Sequence, residues 1–245
     1  MNQDEKILIP SHKGVLVGII IILAWAGSLL ALLSIRFTDF PIFAILPAVL
    51  VQTFLYTGLF ITAHDAMHGV VAPKNKRVNN FIGALCVRLY ALFSFTRLLA
   101  EHRQHHAHPG TDDDPDYHNG EHRNFWRWYL HFISTYVTWR QILGMALAFN
   151  IMEHILNVPP LNLALFWVMP SLLSTLQLFY FGTYLPHHEP SGGYADRHRA
   201  RSNDFSTFWS FVTCYHFGYH WEHHEYPRVP WWKLSAVRRK SSQTA

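Results

Sequence analysis

Two uncharged apolar runs stand almost back to back near the start of the chain, and they leave the backbone little freedom. GVLVGIIIILAWAGSLLALLSI, Gly14 to Ile35, carries no charge and is long enough to span a bilayer. A short turn, RFTDFP, leads into IFAILPAVLVQTFLYTGLFITA, Ile42 to Ala63. In hydrocarbon every N–H and C=O must be satisfied within the segment, so such runs are helical, and Pro47 kinks the second without ending it. A third span is expected over Arg140 to Leu156 and a fourth over Leu161 to Leu185, with NVPPLN as the tight turn between them. Only 15% of the residues are charged and half are apolar, against roughly 25% charged in soluble domains. The expected fold is all-α and integral to the membrane: four transmembrane helices in two hairpins, with interfacial or re-entrant helices and a cytosolic histidine-rich cap. At 245 residues it reads as a single domain, 1–245, with no internal repeat.

Topology follows from the segments between the hairpins. FIGALCVRLYALFSFTRLL, Phe81 to Leu99, is apolar but carries Arg88 and Arg97. An arginine at mid-bilayer costs roughly 2.5–3.5 kcal/mol, which argues against a simple span and for an interfacial or re-entrant path. The histidine-rich segments then share one face. Of twenty Lys and Arg, only Arg36 falls in an outer turn and Arg140 sits at an inner end. The rest lie in the N-terminus, the inner loops or the tail, which predicts both termini on the cytoplasmic side. DFSTFWSFVTCYHF reads as an interfacial helix, with Phe205, Phe208, Trp209, Val212 and Tyr215 at helical spacing. The net charge of +4 follows this topology, so nucleic acid is not an expected partner. Cys86 and Cys214 lack zinc-type spacing and read as free thiols. No cleavable signal peptide is expected, because the N-terminal run meets no A-x-A-like site.

The chain spends 18 histidines, and most are clustered. His64 and His68 stand four apart and so project from one helical face. His102, His105 and His106 form HxxHH, as do His220, His223 and His224. One HxxxH alone is weak; three boxes, each at the inner end of a membrane segment, are a strong signal for metal. Neutral imidazole suits Zn, Cu, Fe or Ni and brings no negative charge to the bilayer. Eight donors exceed what one tetrahedral zinc uses and suit two metals with open positions. A ninth ligand comes from His187, at the inner end of the fourth span, or from His216, one turn before His220; His187 is preferred because it closes the bundle, leaving His216 as an outer neighbour. His188 caps the loop. Isolated His12, His122, His131, His154 and His198 read as ordinary interfacial histidines. Asp65, Glu101, Asp114, Asp116, Glu222 and Glu225 adjoin the boxes. A carboxylate accepting the outer N–H of a bound histidine would orient it, a role assigned here to Asp65 and Asp116, while TDDDPD reads equally well as a solvated loop.

QTFLYTGLFITAHDAMHG, HRQHHAHPGTDDDPDYHNG, QLFYFGTYLPHHEP and CYHFGYHWEHHEYPRVPWW resemble the bacterial and cyanobacterial β-carotene 4-ketolases, within the membrane desaturase/hydroxylase superfamily of histidine-bound di-iron proteins. The resemblance runs from about the second span to Trp232. It implies two iron ions on the eight boxed histidines and His187, with O2 as cosubstrate and electrons from a donor such as reduced ferredoxin. It also implies double hydroxylation at C4 of a carotenoid β-ionone ring, the geminal diol losing water to give a ketone. β-Carotene would give echinenone and canthaxanthin, and 3-hydroxylated rings would lead toward astaxanthin. A bacterial or cyanobacterial membrane is the implied setting. The carotenoid would enter a lipid-open groove, for which Tyr56, Phe60, Phe93, Phe95, Trp209 and Phe211 are candidate lining residues. Arg197, Arg199, Arg201, Arg238, Arg239 and Lys240 could meet an acidic ferredoxin, although topology and headgroup contact explain them as well.

The same boxes would serve a fatty-acid desaturase or hydroxylase, or a carotenoid 3-hydroxylase. A metal transporter or sensor is the non-enzymatic alternative, disfavoured because its polar ligands should lie along a path through mid-membrane.

Overall fold

The computed structural model describes residues 11–118, 120–121, 123–194 and 196–241. His122 and residues 1–10, for which expectations were stated, lie outside them. All regular elements described are helical. Among the described residues three helices are long and apolar enough to cross a membrane: α1 (Ser11–Leu33), α2 (Ile45–Met67, entered through a 3-10 turn at Ile42–Ala44) and α7 (Pro160–His187). The last contains π-helical stretches at Leu163–Val168 and Tyr180–Tyr184. Their outward faces stay apolar, as on Leu23, Leu30, Leu46 and Leu172, which is what contact with lipid rather than water requires.

α1 and α2 form the expected hairpin, cemented by Ile21, Trp25 and Leu29 packing with Tyr56, Leu59 and Ile61. α7 lies against α2, joined at mid-length by Thr57 Oγ1 at 2.9 Å from Ser174 Oγ. The start of α7 is pinned to the far end of α1, where the Asn162 amide donates to the carbonyls of Leu32 at 3.1 Å and Ile35 at 2.8 Å. α2 and α7 therefore finish at the same end of the bundle, the end that carries the histidines.

Between them the chain makes one excursion and one crossing. α3 (Lys76–Ala91) and α4 (Phe95–Ala107) are bent by 101° at the break between them. Leu92 ends α3 in the left-handed region at φ 57° and Ser94 caps α4 through Arg97 N–H, so the bend is written locally. α3 is clamped to α2, where the Asn79 amide donates to Ala66 O at 2.7 Å. Gly83 permits this approach, since a Cβ there would meet Ala66 Cβ of α2 at 2.8 Å, as well as the Phe95 ring at the start of α4 at 2.4 Å. His68 and His102 meet at the same end, so the bent pair leaves and returns, which excludes a simple crossing by 81–99.

The return to the far end is made by α5 (Phe125–Tyr136) and α6 (Trp139–His154). α6 has 16 residues and rises about 24 Å, short of a hydrocarbon core of about 30 Å. The expected third span, 140–156, is thus a short helix set off from α5 rather than one long span, because Thr138 caps a fresh start and breaks the run. α8 (Thr207–Cys214), α9 (His220–Glu225) and α10 (Trp231–Ser241) close the histidine end. The buried Glu222 carboxylate meets Arg238 at 3.0 Å and so ties α10 to α9.

Candidate metal centre

Helical periodicity brings each box onto one face, and the fold aims all the faces at one another. His64, His68, His102 and His223 form one group; His105, His187, His220 and His224 form a second. Within each, one nitrogen per ring lies within 4.8 Å of all the others. His106 stands between the groups, its Nε2 at 3.0 Å from His223 and its ring stacked at 4.2 Å on His224. His187 is in the second group and His216 in neither. His216 stacks on Tyr219 at 5.6 Å, and burial pushes its pKa down to about 4.

Nitrogen faces nitrogen at 2.7 Å between His68 and His102, and at 3.1 Å between His105 and His224 and between His220 and His224. Imidazoles bound to one metal at roughly 2.0–2.1 Å place neighbouring nitrogens about 3 Å apart. His64 Nε2 and His187 Nε2 are buried with no hydrogen-bond partner among the described residues. Buried polar atoms are ordinarily paired, so orphaned nitrogens aimed at a ring of others fit a cation. Two groups of four fit two cations.

Protonation agrees. Burial holds the rings of His220, His223 and His224 well below the ordinary imidazole range, in the neutral state that ligates. His105 differs: burial lowers its pKa, but Asp114 and Asp116 reverse the shift and carry it up to about 9.

Asp114, which adjoins the second box but is not singled out by its position in the sequence, is the carboxylate closest to a histidine ring of the two groups. It is buried, accepts from His105 Nδ1 at 2.9 Å and from Gly110 N–H at 2.7 Å, and so turns His105 Nε2 toward the second group. Asp112 and Asp113 beside it are exposed, and nothing in TDDDPD marks the third aspartate as the inward one. Asp116 lies 3.7 Å from the same nitrogen and accepts from Tyr136 Oη. Burial raises its pKa to about 6. Among the described residues Asp65 reaches no histidine: its carboxylate accepts from Trp231 N–H at 3.3 Å and seats α10. The carboxylates of Glu101, Glu222 and Glu225 also turn to other partners: Arg97, Arg238 with Ser202, and Arg197 with His198. His198 thus has a carboxylate at 2.8 Å, and its ring lies 5.8 Å from that of His224.

An apolar cavity opens beside both groups, walled by His64 and His102 of one and His105 and His220 of the other. Phe60 and Phe93 line it, with Met67, Phe132, Tyr136, Thr183 and Phe217. Its volume is ≈ 80 Å³, below the roughly 300 Å³ of pockets that enclose a small ligand, so admitting a ring requires wall side chains such as Met67 and Phe93 to move. A second space of ≈ 220 Å³ shares Phe93, Leu98 and Tyr136 with it and opens past Arg97 and Arg140. The other four aromatics proposed from sequence stand off this wall. Tyr56 packs edge-on to Trp25 and Tyr90, Phe95 fills the α3–α4 core, Phe211 stacks on Trp231, and Trp209 is exposed. Their spacing showed burial or amphipathicity but not which neighbour each would meet.

The proposed basic docking residues are partly engaged within the chain. Arg199 donates to Gly110 O at 2.7 Å, Arg201 to Leu185 O at 2.9 Å, and Arg239 to Thr207 Oγ1 at 3.3 Å.

The fatty acid desaturase family model matches residues 39–245. The chain is 47% identical over 189 residues to a β-carotene ketolase of Paracoccus sp., covering 77% of this chain and 76% of that protein. It is 42% identical over 200 residues to β-carotene 4-ketolase 3 of Haematococcus lacustris, covering 79% and 62%. To the zeaxanthin 4-ketolase of Chlamydomonas reinhardtii it is 44% identical over 189 residues, covering 76% and 42%.

Proposed function

The chain belongs to the fatty acid desaturase family and, within it, is an oxidoreductase of the β-carotene ketolase group; from that premise we propose that it converts C4 of a carotenoid β-ionone ring to a ketone at a histidine-bound pair of iron ions. The observation that carries this reading is the meeting of two four-histidine groups with an apolar cavity at one end of the membrane helices.

The eight boxed histidines and His187 would hold the metal. Two iron ions bound there supply the activation of O2 needed to break an allylic C–H bond. Asp114 fixes the tautomer and direction of His105, and the Arg199 carbonyl does the same for His187 through Nδ1 at 2.9 Å. Phe60, Phe93 and Phe217 exclude water and present an apolar wall to a hydrocarbon ring. Regiochemistry is a matter of placement, since an oxidant able to attack C4 can also attack its neighbours.

The polyene lies in the bilayer and brings one ring to the cavity. The helix count is then four, in two hairpins, with α5 and α6 together making the third passage and α3–α4 re-entrant. The positive-inside pattern sets the histidine end in the cytoplasm, where a ferredoxin-type donor delivers electrons.

Expression in bacteria that accumulate β-carotene, followed by pigment chromatography, tests the reading. Echinenone and canthaxanthin are expected. Unchanged pigment with altered membrane acyl chains would instead assign a lipid desaturase. Supplying zeaxanthin shows whether 3-hydroxylated rings are accepted, and membranes lacking reduced ferredoxin should make no ketone.

A further inference from the structure

We propose that Thr183 hydrogen-bonds the oxygen placed on C4 by the first insertion, and so holds the ring for a second oxidation at the same carbon. The inference rests on the ketolase reading and deepens it: Thr183 is a positioning residue that separates ketone formation from simple hydroxylation.

Thr183 is 4% exposed and lines the cavity beside the two histidine groups. It stands four residues before His187, on the side of α7 that carries that ring toward the centre. The other hydroxyls on the wall are occupied. Tyr90 donates to Ser171 O, Tyr136 to Asp116, and Thr175 to Leu172 O. Thr183 makes no side-chain hydrogen bond among the described residues. Threonines on α2 return their hydroxyls to the carbonyl one turn back, as Thr53, Thr57 and Thr62 do. Thr183 sits instead in the π-helical stretch Tyr180–Tyr184, where the bonding register widens and that partner is out of place. A hydroxyl on an apolar wall gains a hydrogen bond when a polar atom arrives beside it, and the wider turn places Thr183 on that wall.

A hydrocarbon ring offers such a hydroxyl nothing. After one insertion the ring carries a polar atom at C4. In each insertion one O2, two electrons from the external donor and two protons are consumed. One oxygen atom becomes the C4 hydroxyl and the other leaves as water. The second insertion gives a geminal diol, which loses water to form the ketone. Between the two, the monohydroxylated ring either escapes to the bilayer or stays. One neutral hydrogen bond favours staying by about three- to tenfold.

The test uses full-length enzyme carrying Thr183→Val, which keeps the shape and removes the hydroxyl, and Thr183→Ser, which restores it. In bacteria making β-carotene, the ratio of 4-hydroxy to 4-keto product should rise about three- to tenfold in T183V and return toward wild type in T183S. Without reductant, tryptophan quenching of purified wild type should show tighter binding of a 4-hydroxylated carotenoid than of β-carotene, a preference lost in T183V. An unaltered product ratio in T183V overturns the proposal, as does an equal fall of both products in T183V and T183S. Failure of the wild type to oxygenate C4 overturns the ketolase reading itself; a wild type that makes ketone beside a T183V with the same ratio overturns only the role of Thr183.

Discussion

The two histidine groups differ in what stands behind the rings. In the second, His105 leans on Asp114 and His187 on the Arg199 carbonyl. In the first, none of His64, His68, His102 and His223 has a carboxylate or carbonyl partner on its ring among the described residues. Those rings brace one another instead, His64 lying 4.5 Å from both His102 and His223 and 4.9 Å from Phe217. One histidine group is thus oriented by acceptors built into loops, the other by the ends of helices and by ring packing. An acceptor raises the basicity of the bound nitrogen as well as turning it, so the two positions should differ in metal affinity and in their response to substitution.

The largest effect should come from His223→Ala, which removes a ring of the first group and the contact to His106. Ketone output should fall more than about 100-fold, beyond the roughly 10- to 100-fold typical of losing an outer partner. Pigment chromatography alongside a membrane-insertion assay checks this, and full output would sink the metal assignment. Asp114→Asn should cost about 10- to 100-fold in activity. It should also lower bound iron from about two toward about one per chain, because only the second group depends on it; equal loss from both positions in a metal analysis would break the comparison. Tyr136→Phe frees Asp116 from its hydroxyl partner, an effect of about three- to tenfold if that bond is of ordinary strength, read as kcat in reconstituted membranes. Smallest is Glu101→Gln. Glu101 adjoins the first group in sequence but pairs with Arg97 at 3.9 Å, so a change within about twofold is expected for an exposed pair of this kind.

Legibility in the sequence followed the range of the interaction. The boxes were readable because helical spacing alone puts His102, His105 and His106, or His220, His223 and His224, on one face. His187 could be preferred to His216 because it ends a span, and it is the one the fold brings to the cluster. The carboxylates were not readable in this way. Asp65 sits inside a box yet serves α10, while Asp114 sits in a run of three acids and alone turns inward. Chain-neighbour chemistry is the same for all of them, and only the loop path after α4 distinguishes one. The aromatics were only partly legible for a related reason: Phe60 and Phe93 line the cavity, yet Tyr56, four residues before Phe60 on α2, meets Trp25 instead.

By itself the sequence determined that the chain is helical, that long apolar segments seek a bilayer, and that a cluster of neutral imidazoles can face one side. These are properties of periodicity and transfer free energy, set within a few turns of chain. Tertiary structure decided how the histidines divide into two groups, which acid stands behind a ring, and that a π-helical stretch brings Thr183 to the cavity wall. Each of those depends on contacts between residues far apart in the chain, or on a backbone register that neighbouring helices impose, and neither is encoded in local spacing.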